Sequence, residues 1–384
     1  MKHYLDHHAT TPLLPEVAKI MQPLWTEGFG NPASVEHQRG LAAADRVEAA
    51  RQEIAKAIGA EAREIVFTSG ATEANNIAVL GAARFRAAHE DRRRILVFET
   101  EHSCVLGAAK ALAEEGFEVV HLPVDTQGRA DLSALETALD TQTALVCLMT
   151  ANNEVGTIQP IAEAAALAHA AGAWLHSDAA QAVGKIDVDV RALDVDLLSL
   201  SGHKLYGPMG IGALFVRRRP RVRLAPLVHG GGQERGLRAG TLPMPLIVGL
   251  GHAVTLAEAA RAETTARHRS LREGLLQRLD RRGLRYILNG AGNPHQRLPG
   301  NLSLSFPDIR RDALFTAMAA HGIAVSSGSA CSSHDVAPSH VLTAMGVDPT
   351  LAQQTLRIGL GQDSTEDDLL ALEQALLAAR AKAA

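Results

Sequence analysis

The sequence is poor in cysteine. Only Cys104, Cys147 and Cys331 occur in 384 residues, and their wide spacing and odd number exclude a disulfide framework and suit a reducing compartment. None stands in a zinc-type spacing with another. Excess charge of one sign is also missing: a net charge of −4 leaves no electrostatic footprint for nucleic acid. The local runs Arg92-Arg93-Arg94 and Arg217-Arg218-Arg219 flank apolar segments and read as solvated strand ends. No apolar run is long enough to span a bilayer. The most membrane-like stretch, Leu242 to Ala260, is interrupted by Pro243, Pro245, His252 and Glu258 and reads as a packed helix, so no membrane partner is expected. Met1 to Asp6 has no apolar core of signal-peptide length, which sets the expectation of a cytoplasmic protein. No internal repeat or low-complexity linker stands out.

What is present is ordinary globular material. Hydrophobic residues make up 46% and charged residues 21%, values that argue against disorder, and the length suits a large α/β domain with a smaller companion. From Glu64 onward, apolar segments alternate with alanine-rich helices such as Ile161 to Ala171. The expected strands are Ile65 to Thr68, Ile95 to Phe98, Val119 to Leu122, Ala144 to Met149, Ala173 to His176 and Val195 to Leu200. Apolar strands separated by helices imply a mostly parallel sheet covered on both faces, with ligands at the strands' carboxyl ends. Pro15 to Leu24 and Leu41 to Ile58 read as helices, the second closed by Gly59. Toward the C-terminus, Asn301 to Phe306 alternates like a half-buried strand, Thr355 to Leu360 resembles another, and Thr365 to Ala383 is a final helix. The expected division is 15–255 for the large domain, and 1–14 with 256–384 for the small one.

The stretch Ser199-Leu200-Ser201-Gly202-His203-Lys204-Leu205-Tyr206-Gly207-Pro208 organises the rest. It places Lys204 at the end of an apolar strand. A lysine hemmed in by apolar residues and small hydroxyls can lose its proton and act as a nucleophile, for instance toward an aldehyde cofactor. A solvated loop lysine is the plainer reading. Thr68-Ser69-Gly70-Ala71-Thr72-Glu73 is a strand, a glycine turn and a helix start, a geometry that binds anions such as phosphate; Thr72 serves either as a donor or as a helix cap.

Other motifs follow other strands. Thr100-Glu101-His102-Ser103 brings an imidazole, either a proton shuttle or a structural group. Ala151-Asn152-Asn153-Glu154 offers uncharged amides or an ordinary turn. His176-Ser177-Asp178-Ala179-Ala180-Gln181 puts a carboxylate where water is scarce, facing a cation or capping a helix. The glycine-rich stretch His229 to Thr241 either approaches an anionic ligand or is mobile. Ser326-Ser327-Gly328-Ser329-Ala330-Cys331 surrounds one thiol with small residues. It reads as a mobile, exposed loop over 326–340, whereas Cys147 has the apolar neighbours of a buried residue.

Together these motifs, from Tyr4 through Gly361, resemble the cysteine desulfurases of the class V aminotransferase group, and the Cys331 loop resembles the subgroup serving iron–sulfur cluster assembly. The resemblance implies a pyridoxal phosphate enzyme of fold type I: a mostly parallel, seven-stranded-type sheet in the large domain and a smaller α+β domain. It implies that Lys204 forms a Schiff base with the cofactor, Asp178 faces the pyridine nitrogen, Gln181 the ring hydroxyl, and His102 the ring face. Ala71, Thr72, Ser201 and His203 would hold the phosphate, with Thr241 reaching that of a neighbouring subunit in a homodimer. Asn152 is implied at the cofactor and, with Arg357, at the substrate carboxylate. Cys331 would take sulfur from L-cysteine as a persulfide, leaving alanine, and pass it to an acceptor or iron–sulfur scaffold; it could also ligate a transient cluster. His102 would carry protons.

Three departures stand out. The chain stops soon after its last helix, Gly359 stands where such proteins often have serine, and His334 and Asp335 burden a usually plainer loop. Competing readings are a selenocysteine lyase or another class V enzyme independent of Cys331, and a non-catalytic sulfur carrier.

Overall fold

The computed structural model describes residues 2–327 and 338–381. Cys331, the expected sulfur acceptor, therefore lies with most of its loop outside the described residues. A short strand β1 (His3–Tyr4) precedes the large sheet, whose members are β2 (Ile65–Thr68), β3 (Arg94–Phe98), β4 (Glu118–Leu122), β5 (Thr143–Cys147), β6 (Trp174–Asp178), β7 (Leu197–Ser201) and β8 (Gly212–Val216). Their order is β2-β8-β7-β6-β5-β3-β4. Only β8 runs antiparallel to its neighbours. The remaining pairs are parallel, as alternation of strands and helices requires. Strands β2, β5, β7 and β8 are buried along their whole length, so their runs of Val, Leu, Ile and Phe show no period of two.

The C-terminal part adds β9 (Ile287–Leu288), β10 (Asn301–Ser305), β11 (Ile323–Ala324) and β12 (Thr355–Gly359). β9, β10 and β12 form an antiparallel sheet, and β11 pairs in parallel with β1, so the chain's first residues join its last strands. Leu5 packs with Leu302, Leu304, Leu356 and Ile358 in the same apolar cluster. The expected half-buried alternation of Asn301 to Phe306 is corrected: all five residues of β10 are buried. Its serines can be buried because Asn289 Nδ2 donates to Ser303 Oγ at 3.3 Å and Ser305 Oγ at 2.8 Å, and Ser305 Oγ lies 2.7 Å from Thr355 Oγ1.

The helix expected over Leu242 to Ala260 is far longer, Met244–Arg281. Its charged second half continues the helix because one face still carries Leu275 and Leu279 into the C-terminal cluster, while Met244, Ile247 and Leu250 fill the large one. Arg217 is another correction. Rather than a solvated strand end it is 6% exposed, with its guanidinium donating to Val195 O and Asp194 Oδ1. The glycine-rich stretch is tied down at two points: Glu234 accepts from Arg51 at 2.8 and 2.9 Å and from Phe67 N at 2.7 Å, and Arg238 pairs with Glu73 at 2.8 Å.

Gly359 shows what the N-terminal segment costs in space. A Cβ there would lie 2.8 Å from His8 N and 2.9 Å from His8 Cδ2, so the path of His7 and His8 fills the room a serine needs. Gly359→Ser is expected to destabilise the protein by about 1–3 kcal/mol, as overpacking does. Urea unfolding checks this, and an unchanged midpoint would show that the N-terminal segment yields freely.

Candidate active site

The site is a cavity of about 740 Å³ at the carboxyl ends of β2, β3, β5, β6 and β7, closed from the other side by residues His8 to Thr10 and Arg357. Each expected motif follows one strand into it. After β2 comes the helix Ala71–Glu90. Its N-cap is Gly70, with φ 150° and no capping side chain, so Thr72 lies inside the first turn and is not the cap. The first-turn N–H groups have no partner within the helix and face anions favourably. A Cβ on Gly212 would sit 2.7 Å from Gly70 Cα, so glycine on β8 lets this turn approach the sheet.

Ser201 ends β7, and the 3-10 turn Gly202–Lys204 follows it. Lys204 Nζ donates to the carbonyls of His8 and Ala9, both at 2.7 Å. His203 Nδ1 lies 3.1 Å from Thr10 Oγ1, and burial lowers its pKa to about 4, so it is neutral. Asp178 ends β6 and is 5% exposed. It accepts from Asn75 Nδ2 at 2.6 Å and Ala180 N at 2.9 Å, two neutral donors. It caps no helix of its own.

His102 caps the helix Ser103–Glu114, its Nδ1 accepting from Cys104 N at 3.2 Å. Burial lowers the pKa of its ring. Gln181 is buried, with Nε2 donating to His8 O at 2.8 Å and Oε1 accepting from Lys185 Nζ at 2.6 Å. Arg357, on β12, donates to Asp6 Oδ1 at 2.8 Å, while its Nε is buried without a partner among the described residues. That orphaned donor beside the cavity is where a carboxylate fits.

Two expected residues stand elsewhere. Asn152 is fully buried and outside the cavity wall: its Nδ2 donates to Thr100 O and its Oδ1 accepts from Glu154 N and Val155 N. The turn consumes that amide, and the next residue, Asn153, lines the cavity instead. Thr241 is exposed and does not line the cavity of its own chain. Sequence reasoning also passed over Asp6, His8, Asn75, Cys104 and Glu154. Asn75 was within reach, one turn beyond Thr72 on the same helix face. Cys147 is fully buried, as its neighbours implied.

The residues fit a pyridoxal phosphate. A buried carboxylate held by two neutral donors suits a protonated pyridine, the open helix turn with Ser201 suits a phosphate, and Lys204 stands between them. Fold and site thus describe an enzyme of the aminotransferase type. The aminotransferase class-V model matches residues 3–372, and the chain belongs to that family, within its cysteine desulfurases. It is 49% identical to the cysteine desulfurase IscS of Anaeromyxobacter dehalogenans, over 95% of this chain and 89% of that one. Among solved structures, a NifS-like protein superposes with a TM-score of 0.90 at 37% identity, over 98% of this chain and 99% of that one. A structure of SspA in complex with cysteine gives 0.82 at 37% identity, over 94% and 99%. Class V desulfurases depend in general on pyridoxal phosphate.

Behind Lys204, burial and then the cations Lys204 and Arg357 lower the Lys185 amine to about 7. An unfolded chain keeps that proton to about pH 10.4, so between pH 7 and 10 the unfolded state binds more protons and stability rises with pH. Urea midpoints are expected to rise from pH 7 to pH 9, with a flatter slope in Lys185→Met. Equal slopes would remove Lys185 as the source.

Proposed function

We propose that this desulfurase holds pyridoxal phosphate around Lys204, takes sulfur from L-cysteine onto Cys331 and releases L-alanine. The observation that carries the reading is the single cavity gathering Lys204, Asp178, His102, Arg357 and an open helix N-terminus. When bound, the cofactor supplies an electron sink that weakens the α-hydrogen and carbon–sulfur bonds of the amino acid. Asp178 would hold the ring nitrogen, and His102 would support the ring face. The N–H groups of Ala71 and Thr72, with Ser201 and His203, hold the phosphate. Gln181 reaches the ring hydroxyl once it exchanges a present partner. Arg357 binds the substrate carboxylate through its Nε, which has no partner among the described residues, and Asn153 replaces Asn152 on the wall.

Lys204, the amine nearest the two N-terminal carbonyls, moves the α-proton, and His102 is a second carrier. The Cys331 thiolate attacks the substrate sulfur: a sulfur–sulfur bond forms as the carbon–sulfur bond breaks, giving a persulfide and alanine. The persulfide then passes to a sulfur acceptor or iron–sulfur scaffold. The reading includes a homodimer in which Thr241 reaches the neighbouring subunit's phosphate, supported by its exposure outside its own cavity. It also includes a cytoplasmic setting, and no helix among the described residues is long and apolar enough to cross a membrane. The division into 15–255, and 1–14 with 256–384, belongs to the same proposal; it falls within the helix Met244–Arg281, whose two halves serve different clusters.

The test compares Lys204→Ala and Cys331→Ser with the wild type for visible absorbance, for alanine and sulfide from cysteine, and for selenide from selenocysteine. Lys204→Ala is expected to lose the Schiff-base absorbance and turnover. Cys331→Ser should keep the absorbance while alanine release falls by roughly 10³, the scale of removing a nucleophile. Undiminished alanine release without Cys331 would overturn the reading, and selenide release alone would favour a lyase.

A further inference from the structure

The mechanism above leaves a thiol on the cavity wall without a task. Cys104, in the first turn of the helix Ser103–Glu114, is half-buried and lines the cavity. Asn75 Nδ2 donates to its Sγ at 3.1 Å and to Asp178 Oδ2 at 2.6 Å, and Thr72 adds a side-chain hydrogen bond to the sulfur. His102 Nδ1 lies 3.0 Å from the same sulfur. Burial, then the Asp178 carboxylate, push the thiol up to about 12. Near neutral pH the sulfur keeps its hydrogen and is a weak nucleophile, so Cys104 does not compete for the substrate's sulfur.

That hydrogen has a clear destination. His102 Nδ1 already accepts the backbone N–H of Cys104, and a ring nitrogen that accepts carries no hydrogen. The thiol must therefore donate across the 3.0 Å gap, while Asn75 and Thr72 address the sulfur's lone pairs. We propose that Cys104 is a positioning residue for His102: its S–H, together with the capping N–H, holds Nδ1 as a twofold acceptor and fixes the imidazole hydrogen on Nε2. This rests on the reading of His102 as a proton carrier, which needs one defined tautomer on the cavity wall. Burial is the largest influence on the ring and lowers its pKa. Asp178 at the end of β6 and Glu154 after β5 raise it, and Lys204 after β7 and His340 on the helix His340–Ala344 lower it. A donated hydrogen bond to Nδ1 favours the neutral ring and acts with the lowering group.

The test reads the ring directly. In full-length enzyme labelled with 15N-histidine, the His102 signals are identified by their loss in His102→Gln. Long-range 1H–15N spectra then give the tautomer and its pH midpoint. The wild type and Cys104→Ser are expected to share the Nε2–H form and the same midpoint. Cys104→Ala and the near-isosteric Cys104→Val should each raise the midpoint by about half a unit, the scale of one neutral hydrogen bond. The acid limb of kcat should move up with them and return in Cys104→Ser. An unchanged midpoint in the alanine and valine variants overturns the proposal, as does a serine variant that matches alanine. Failure of the desulfurase reading shows separately, as no alanine from the wild type, and leaves the spectra as they are.

Discussion

A lysine amine at the end of a buried strand must find acceptors, and here two come from a peptide far away in sequence. Lys204 Nζ is held by the carbonyls of His8 and Ala9. This one arrangement sets much else. It requires the N-terminal segment to lie across the carboxyl ends of the sheet, and Thr11 secures it there through its backbone and hydroxyl bonds to His203 O and its acceptance of Tyr206 N. It brings Asp6 to Arg357 and leaves room only for glycine at position 359. The two sheets are thus joined through the residues that line the cavity, so shape and chemistry share the same contacts.

The second constraint is electrostatic. The cavity wall carries a buried carboxylate, Asp178, and each neighbour answers it in a different way. Asn75 bonds it directly, and Cys104 is kept as a neutral thiol. Glu101, fully buried nearby, is pushed well above the usual carboxyl range by desolvation and by Asp178, which favours its neutral form. His176 is drawn down to about 4 by burial and stays uncharged beside Ser199. Charge is thereby concentrated on a few groups, Asp178 and Arg357 among them, against a largely neutral surround, the condition under which a polar site acts strongly.

Much of this was legible in the chain. The strands of the large sheet are short apolar runs between alanine-rich helices, and each of the six expected ones lies within a few residues of its place, because a strand buried on both faces needs an unbroken apolar run. Most motif residues also met at one cavity, because each follows a strand of a parallel sheet and parallel strands share one carboxyl edge. Local pattern failed where a choice depended on partners. In Asn152-Asn153 the residue types do not say which amide the turn consumes; Asn152 accepts from Glu154 N and Val155 N within the turn and also donates to Thr100 O, at another strand's end. The serines of β10 looked solvated and are buried, because Asn289 and Thr355 satisfy them. The helix read over Leu242 to Ala260 runs on to Arg281, because a second cluster takes its apolar face.

By itself the sequence determined the class of fold, the order of its elements, the strand ends on which chemistry would fall and the residue types available there. These depend on period, turn chemistry and composition, which are properties of neighbours along the chain. Only the tertiary structure decided that Lys204 leans on His8 and Ala9, that Arg357 is half-claimed by Asp6, and that Cys104 touches both His102 and, through Asn75, Asp178. Those pairings join positions up to 351 residues apart, and no local pattern encodes which distant donor will meet which acceptor once water is excluded.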